Sequence, residues 1–123
     1  MKKILVIDDE PQILQMVSSR LEANGYAVVT AFSGKRGMEL AGKELPNLIL
    51  LDHVMSGLDG DAVLGLLKKD PITKPIPVVL FTADIKRVKA GEYKLLGAED
   101  CLFKPFLSEE LLSVIQRILD RKA

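Results

Sequence analysis

Five short runs of aliphatic and β-branched residues recur along this 123-residue chain, separated by stretches whose apolar residues follow helical spacing. Apart from Thr30 the residues of these runs are apolar, so the runs indicate strands that are buried on both faces. Helices that connect such strands return the chain to the same end of the sheet, which makes the sheet parallel and covers both of its faces. The sequence therefore predicts a doubly wound α/β fold. The predicted strands are residues 4–7, 27–30, 48–51, 78–81 and 101–103.

Each predicted helix presents an apolar stripe to a core. The last helix follows Ser108, whose side chain is a favoured N-cap. Turn signals such as Asn24-Gly25 and Leu96-Gly97 separate the elements, and no segment has the length of an interdomain linker, so we expect one domain over residues 1–123. The stripes consist of Ile13, Leu14, Val17 and Leu21; Met38, Ala41 and Leu45; Val63, Leu66 and Leu67; Ile85 and Val88; and Leu111, Leu112, Ile115, Ile118 and Leu119.

Charge and composition exclude several classes of protein. Lys plus Arg total 17 and Asp plus Glu total 17, so the chain has no net charge and no basic run for nucleic acid. The single cysteine, Cys101, cannot form an internal disulfide, and the N-terminus lacks the pattern of a signal peptide. No apolar run approaches the roughly 20 residues that cross a bilayer. We therefore expect a cytoplasmic protein that binds neither nucleic acid nor membrane directly.

Polar side chains stand directly after four of the five predicted strands. Asp8 and Asp9 follow the first strand, Asp52 the third, Thr82 the fourth and Lys104 the fifth. In an open parallel sheet, ligands bind outside the carboxyl ends of the strands. The fold is therefore predicted to bring these side chains together in one site.

The converging carboxylates predict a cation and a phosphoryl reaction. Three carboxylates at one edge repel one another and raise each other's pKa unless a counter-charge is present. Mg²⁺ suits such a site, because it prefers oxygen ligands and is commonly held by one or two carboxylates plus a phosphate. One aspartate would attack phosphorus to form an aspartyl phosphate, while an ammonium and a hydroxyl bind the phosphoryl oxygens. Asp52, Lys104 and Thr82 supply those groups.

In the order and spacing of its motifs, the chain resembles the CheY-like receiver domains of bacterial response regulators over essentially its whole length. A lone acidic pair would be a weak signal, whereas five matching segments in register are specific. The segments are Ile7-Asp8-Asp9-Glu10, residues 51–60 (LDHVMSGLDG), Phe81-Thr82-Ala83, Gly97-Ala98-Glu99-Asp100 and Phe103-Lys104-Pro105-Phe106.

The resemblance implies a five-stranded parallel sheet in the order 2-1-3-4-5 and a phosphorylation site at Asp52. It implies that Asp52 receives its phosphoryl group from a sensor histidine kinase or a phosphotransfer protein. It also implies that Asp8, Asp9, Asp52 and the backbone carbonyl of Val54 surround Mg²⁺.

The same family pattern implies that Thr82 hydrogen-bonds the phosphoryl group, that Lys104 pairs with it, and that Lys104-Pro105 is a cis peptide bond. The phosphorylated domain is expected to change shape and to control a downstream protein or a fused output domain. The fourth helix, fifth strand and fifth helix are the implied surface for such partners and for a homodimer. By this interpretation the chain is a phosphoacceptor that promotes its own modification, not a conventional enzyme.

Two positions depart from the family pattern. Ser56 stands where a proline usually follows the methionine, and we expect a looser turn there with unchanged chemistry. Cys101 stands where a tyrosine or phenylalanine usually swings inward when the threonine moves. A small cysteine offers little differential packing compared with an aromatic ring, which weakens the prediction of output by that route. We interpret Cys101 as a small buried hydrophobe, not a redox thiol.

Three other functions compete with this interpretation. An aspartyl phosphatase usually carries a second acid two residues after its nucleophile, where this chain has Val54. A flavodoxin-like cofactor binder needs a phosphate-binding loop after the first strand, where Asp8-Asp9-Glu10 would repel a phosphate. A phosphorylation-independent interaction module of the same fold stays open as the alternative. His53, which need not face the site, is interpreted as a packing or rim residue.

Overall fold

A computed structural model describes residues 1–55, 57, 59–84, 86 and 91–122 of the chain. Of Lys122 it describes the backbone only. Within these residues, five strands alternate with helices in the predicted order. The strands are β1 (Lys3–Ile7), β2 (Ala27–Ala31), β3 (Leu48–Asp52), β4 (Val78–Thr82) and β5 (Asp100–Phe103). The helices are α1 (Pro11–Ala23), α2 (Gly34–Glu44), α3 (Gly60–Lys69), α4 (Glu92–Leu95) and α5 (Ser108–Lys122).

The strands form a parallel sheet in the order β2-β1-β3-β4-β5, which confirms the predicted topology. Successive residues of a strand point to opposite faces. Accordingly, Ile4 and Val6 belong to one apolar cluster, which also contains residues of α1 and α5, while Leu5 and Ile7 belong to another, which contains residues of α2 and α3. The fold is therefore doubly wound, and the loops that follow the strands meet at the carboxyl edge of the sheet.

The two edge strands depart from the prediction that every strand is buried: Phe103 at the end of β5 is exposed, and β2 departs more. It lies at the edge of the sheet, where its residues 27–29 are half-buried and Thr30 is exposed. The prediction was wrong here because an edge strand has a neighbour on one side only. The apolar run that marks a strand does not show whether the strand is central.

Two residues assigned to apolar helix stripes are exposed. Leu45 follows the end of α2 in a left-handed conformation (φ 47°), and Leu66 lies on the outer side of α3. Leu40 and Leu64 are buried in these two helices and were missed. Ser108, predicted as a cap, is the first residue of α5.

Some predictions fall outside the described residues. The predicted helix with Ile85 and Val88 and the turn at Ser56 are among them. The described residues that follow begin at residue 91 and include α4, which is a single turn. Among the helices that are described, none is long and apolar enough to cross a membrane.

Candidate functional site

Asp8 and Asp52 lie close together because their strands are neighbours. β1 pairs with β3 in a register that sets Ile7 opposite Leu51, so the next residue of each strand lies at the same edge. Asp8 is fully buried and Asp52 is 2% exposed. An ionised carboxylate loses its hydration on burial, which is unfavourable unless other groups replace the water. Packing alone does not account for two such acids at one edge.

Lys104 supplies a positive charge to this pair. Its Nζ lies 2.8 Å from Asp52 Oδ1 and 3.9 Å from Asp8 Oδ2. The backbone N–H of Lys104 donates to the carbonyl of Thr82 at 2.7 Å, which ties the end of β5 to β4. The Lys104-Pro105 peptide bond is cis, as the resemblance implied. The lysine thus forms a hydrogen-bonded ion pair with Asp52 and reaches Asp8 only at longer range.

The electrostatic balance is unfavourable for the charged form of Asp8. Burial raises the pKa of Asp8 from 3.8 to about 7, and the charges of Asp52 and Glu10 add to the rise. The backbone N–H of Glu10, which donates to Asp8 Oδ1 at 2.9 Å, and the ammonium of Lys104 oppose it. Asp8 Oδ2 and Asp52 Oδ2 are buried, and among the described residues neither has a hydrogen-bond partner. Two carboxylate oxygens have therefore lost water without gaining a donor.

One group of the described residues has the oxygen atoms to hold a metal ion. Carboxylate oxygens of Asp8, Glu10 and Asp52 lie within 4.8 Å of one another. Mg²⁺ takes oxygen ligands of this kind, and Asp8, a member of the group, has a buried Oδ2 without a hydrogen-bond partner among the described residues, so the donor set fits the predicted cation. Glu10 was missed by sequence reasoning, although its place directly after the acidic pair was a signal.

The other two predicted metal ligands are Asp9 and the backbone carbonyl of Val54. Asp9 is half-buried after β1 and is not a member of the group found among the described residues. The side chain of Val54 is 71% exposed. The roles of Asp9 and of the Val54 carbonyl stay predictions.

Thr82 lies at the end of β4 beside His53, which follows the adjacent strand β3. The hydroxyl oxygen of Thr82 lies 2.9 Å from His53 Nδ1 and accepts a hydrogen bond from the N–H of Asp84 at 3.0 Å. On the other side of the ring, His53 Nε2 lies 4.0 Å from Asp61 Oδ2. Sequence reasoning gave His53 a packing or rim role and missed this contact. Side chains alternate between the two faces of a sheet only within a strand, so the direction of a side chain just beyond the strand does not follow from its position in the sequence.

Gly60 allows α3 to begin directly against the end of β3. A Cβ atom at this position would lie 2.3 Å from the carbonyl oxygen of Asp52 and 2.8 Å from Cα of His53. The N–H of Gly60 donates to the carbonyl of His53 at 2.9 Å. Any side chain here would push α3 away from the residues that carry the site.

A cavity of about 490 Å³ opens beside Lys104. Concave, mostly apolar surfaces with a few polar groups are the usual places where ligands bind. The lining therefore offers a contact surface next to the ion pair. It consists of Glu10, Ile13, Met16, Ala83, Lys104, Pro105 and Phe106.

Cys101 is buried in β5 and belongs to the apolar cluster that contains residues of α2 and α3. Tyr93 of α4 packs against the same cluster. The predicted burial of Cys101 is confirmed. Its sulfur fills a place in the core, where an aromatic ring would need much more volume.

A 2-1-3-4-5 parallel sheet, with a buried acid pair, a lysine and a hydroxyl at its carboxyl edge, defines the receiver class of signalling domains. The family model of the response regulator receiver domain matches residues 4–116. The chain belongs to this family, whose members are receiver domains of two-component signalling proteins.

Relatives of two different lengths resemble the chain. Protein PilH of Pseudomonas aeruginosa is 37% identical over 119 residues, which cover 97% of this chain and 98% of PilH. The DNA-binding dual master transcriptional regulator RpaA of Synechocystis is 40% identical over 121 residues, which cover 98% of this chain but 50% of RpaA. The chain thus spans about half the length of several curated relatives that it matches. The solved structure of chemotaxis protein CheY4 of Vibrio cholerae matches with a TM-score of 0.89 at 34% identity, over 96% of this chain and 98% of CheY4.

Proposed function

We propose that Asp52 accepts a phosphoryl group from a sensor histidine kinase or a phosphotransfer protein, with Mg²⁺ as cofactor. One observation carries the proposal. The Asp52 carboxylate is buried, with Oδ1 held by Lys104 at 2.8 Å and Oδ2 without a hydrogen-bond partner among the described residues. A nucleophile needs a lone pair that no donor occupies, so we take Oδ2 as the attacking atom.

In the proposed step, a bond forms between Asp52 Oδ2 and phosphorus while the phosphorus–nitrogen bond of the donor's phosphohistidine breaks. The leaving imidazole nitrogen keeps the electron pair, and a solvent proton restores the neutral ring. Lys104 remains beside Asp52 and pairs with the phosphoryl oxygens, while the Thr82 hydroxyl donates to one of them. Mg²⁺, when held by the carboxylates of the site, supplies positive charge that offsets the charge on the phosphoryl oxygens.

We place the phosphodonor protein over the cavity beside Lys104. Ile13, Met16 and Phe106 give this cavity an apolar lining next to the ion pair. An apolar contact there would hold the donor's phosphohistidine near Asp52 and keep water from the reacting groups. We expect no turnover of other substrates, since Val54 stands where a phosphatase carries its second acid. Sensor kinases pass phosphoryl groups in the cytoplasm, so we propose that location.

We propose that output runs through a downstream protein or an attached output domain, bound on the face formed by α4, β5 and α5. Leu95 of α4 is 90% exposed and Phe103 of β5 is 38% exposed. Arg117 of α5 forms an ion pair with Asp100 of β5, so charged groups lie next to the apolar ones. The same face suits a homodimer. Light scattering of the wild type and of Leu95→Glu, with and without a phosphodonor, measures whether the homodimer forms.

The experiment that tests the phosphoacceptor is intact mass spectrometry after incubation with acetyl phosphate. The wild type is expected to gain one phosphoryl group with Mg²⁺ and none when the metal is chelated. Asp52→Asn is expected to gain none under either condition. Asp120→Asn, which removes an exposed carboxylate of α5, is the matched control and is expected to behave as the wild type.

The alternative function predicts a different result. A wild type that gains no phosphoryl group under any condition would favour the alternative, a phosphorylation-independent interaction module of the same fold. If Asp52→Asn still gains the group, the acceptor lies elsewhere and the assignment of Asp52 is wrong.

A further inference from the structure

His53 contacts the hydroxyl group that the proposed function assigns to the phosphoryl group. A threonine hydroxyl has one proton to donate and can accept through its oxygen. The oxygen of Thr82 already accepts from the N–H of Asp84 at 3.0 Å, and Nδ1 of His53 lies 2.9 Å from the same oxygen. The partner of the single hydroxyl proton therefore depends on the protonation of Nδ1.

The surroundings of the ring favour Nδ1 as an acceptor. Nε2 of His53 lies 4.0 Å from Oδ2 of Asp61, and an ionised carboxylate only accepts hydrogen bonds. The proton of the neutral imidazole is therefore favoured on Nε2, since the group beside one nitrogen sets the tautomer of the ring. Nδ1 is then unprotonated and accepts the hydroxyl proton of Thr82. This tautomer is assigned from the two contacts of the ring, of which the one to Asp61 at 4.0 Å is an ion-pair distance and not a hydrogen bond.

We propose that His53 is a positioning residue that retains Thr82 in the unphosphorylated state, and that Thr82 leaves His53 when its hydroxyl binds the phosphoryl group. The inference rests on the proposed phosphorylation of Asp52. Thr82 is 2% exposed and the His53 side chain is 18% exposed. Few water molecules can therefore form a hydrogen bond with either side chain when the bond between them breaks. The bond therefore shifts the conformational equilibrium toward the state in which Thr82 contacts His53 and away from the state in which it binds the phosphoryl group.

The test measures the affinity for beryllofluoride, a mimic of the phosphoryl group on an aspartate, by calorimetric titration with Mg²⁺ present. His53→Phe keeps a ring of similar size and removes the acceptor. It is expected to bind beryllofluoride roughly 2- to 10-fold more tightly than the wild type, which is the effect of one neutral hydrogen bond. His53→Asn offers a side-chain oxygen near the position of Nδ1 and is expected to restore the wild-type affinity.

A double-mutant cycle separates positioning from packing. In a Thr82→Ala background there is no hydroxyl to retain, so His53→Phe is expected to leave the affinity unchanged. A residue that only packs would change the affinity equally in both backgrounds, and that result would overturn the proposal. An affinity that His53→Phe leaves unchanged in the wild-type background would overturn it as well.

Nuclear magnetic resonance gives a second measurement that does not depend on substitution. His53 is the only histidine of the chain, so the imidazole ¹⁵N signals can be assigned to it directly. Nδ1 is expected to show the shift of an unprotonated acceptor in the free protein and to change when beryllofluoride binds. A protonated Nδ1 in the free protein would contradict the proposed retention. A wild type that binds no beryllofluoride would instead contradict the phosphoacceptor function itself, and the positioning role with it.

Discussion

Asp8→Asn is expected to remove most of the pH dependence of stability from the metal-free protein. Burial raises the pKa of Asp8 to about 7 in the folded chain, whereas its ordinary value is 3.8. Between these two values the folded chain keeps a proton that the unfolded chain has released. The free energy of unfolding must therefore fall as the pH rises through this window.

The expected magnitude follows from the difference between the two pKa values. Each unit corresponds to about 1.4 kcal/mol, so about three units lower the free energy of unfolding by about 4 kcal/mol by pH 7. Below the ordinary pKa of Asp8 the penalty is absent, because the carboxyl is protonated in both states. Above a pH of about 7 the penalty is complete, because it is charged in both. Asparagine has no charge to bury, and its side-chain oxygen can still accept from the N–H of Glu10.

Urea unfolding, followed by circular dichroism with a chelator present, measures this effect. At a pH of about 8, Asp8→Asn is expected to be more stable than the wild type by up to about 4 kcal/mol, and near a pH of 4 the two should differ little. The control variant Asp120→Asn is expected to stay within about 0.5 kcal/mol of the wild type at each pH. Added Mg²⁺ should stabilise the wild type more than Asp8→Asn. If the metal-free wild type is as stable at a pH of about 8 as at about 5, the electrostatic account of Asp8 is wrong.

Three further predictions concern Lys104, Gly60 and Cys101. Lys104→Met should lower the free energy of unfolding, measured with urea at neutral pH, by about 1 to 3 kcal/mol, because a buried oxygen of Asp52 loses the ammonium 2.8 Å away that donates to it. Unchanged stability would refute the pairing. Gly60→Ala should lower it by about 2 kcal/mol or more, because the new Cβ would lie 2.3 Å from a backbone oxygen, whereas Gly65→Ala in the same helix meets nothing within 4 Å and should raise it by up to about 1 kcal/mol. Equal effects of the two glycine substitutions would contradict the close approach at Gly60. The thiol of Cys101, 9% exposed, should react with a thiol reagent far more slowly in the native protein than in urea; equal rates would show that the core around it is open.

The central strands were predictable because they are covered on both faces. All the residues of β3 and β4 are buried, and the first four residues of each strand form a continuous apolar run, the pattern expected of a strand that is covered on both faces. Edge strand β2 and the ends of helices follow weaker constraints. Leu45 reads as part of a helical stripe until the chain turns left-handed at that residue, and Leu66 is apolar but faces out.

The site was predictable as far as the topology of the sheet controls it. Parallel strands end at one edge, so the strand order predicts that Asp8, Asp52 and Lys104 lie at the same edge of the sheet. The loops beyond the strands follow no such rule. Glu10 reaches the acidic group, and His53 turns toward Thr82, because of local backbone paths that no periodicity in the sequence encodes.

Several interactions of the site would change together when a ligand binds. Asp8 and Asp52 keep buried oxygens without partners among the described residues, and the hydroxyl of Thr82 is held by His53. A ligand shifts a conformational equilibrium only by the difference between its binding free energies for the two states. About 3 kcal/mol of such a difference changes the ratio of the states by roughly 100-fold.

The residues whose contacts differ between the two states determine how binding at the site is coupled to the rest of the domain. The small side chain of Cys101 is already packed in the core, so little contact is gained or lost there when Thr82 moves. In the proposed switch the bond from Thr82 to His53 breaks, and the other side of the imidazole lies near Asp61 in the first turn of α3. Substitution of His53 is therefore expected to alter the coupling between phosphorylation and conformation more than substitution of Cys101 by a residue of similar size.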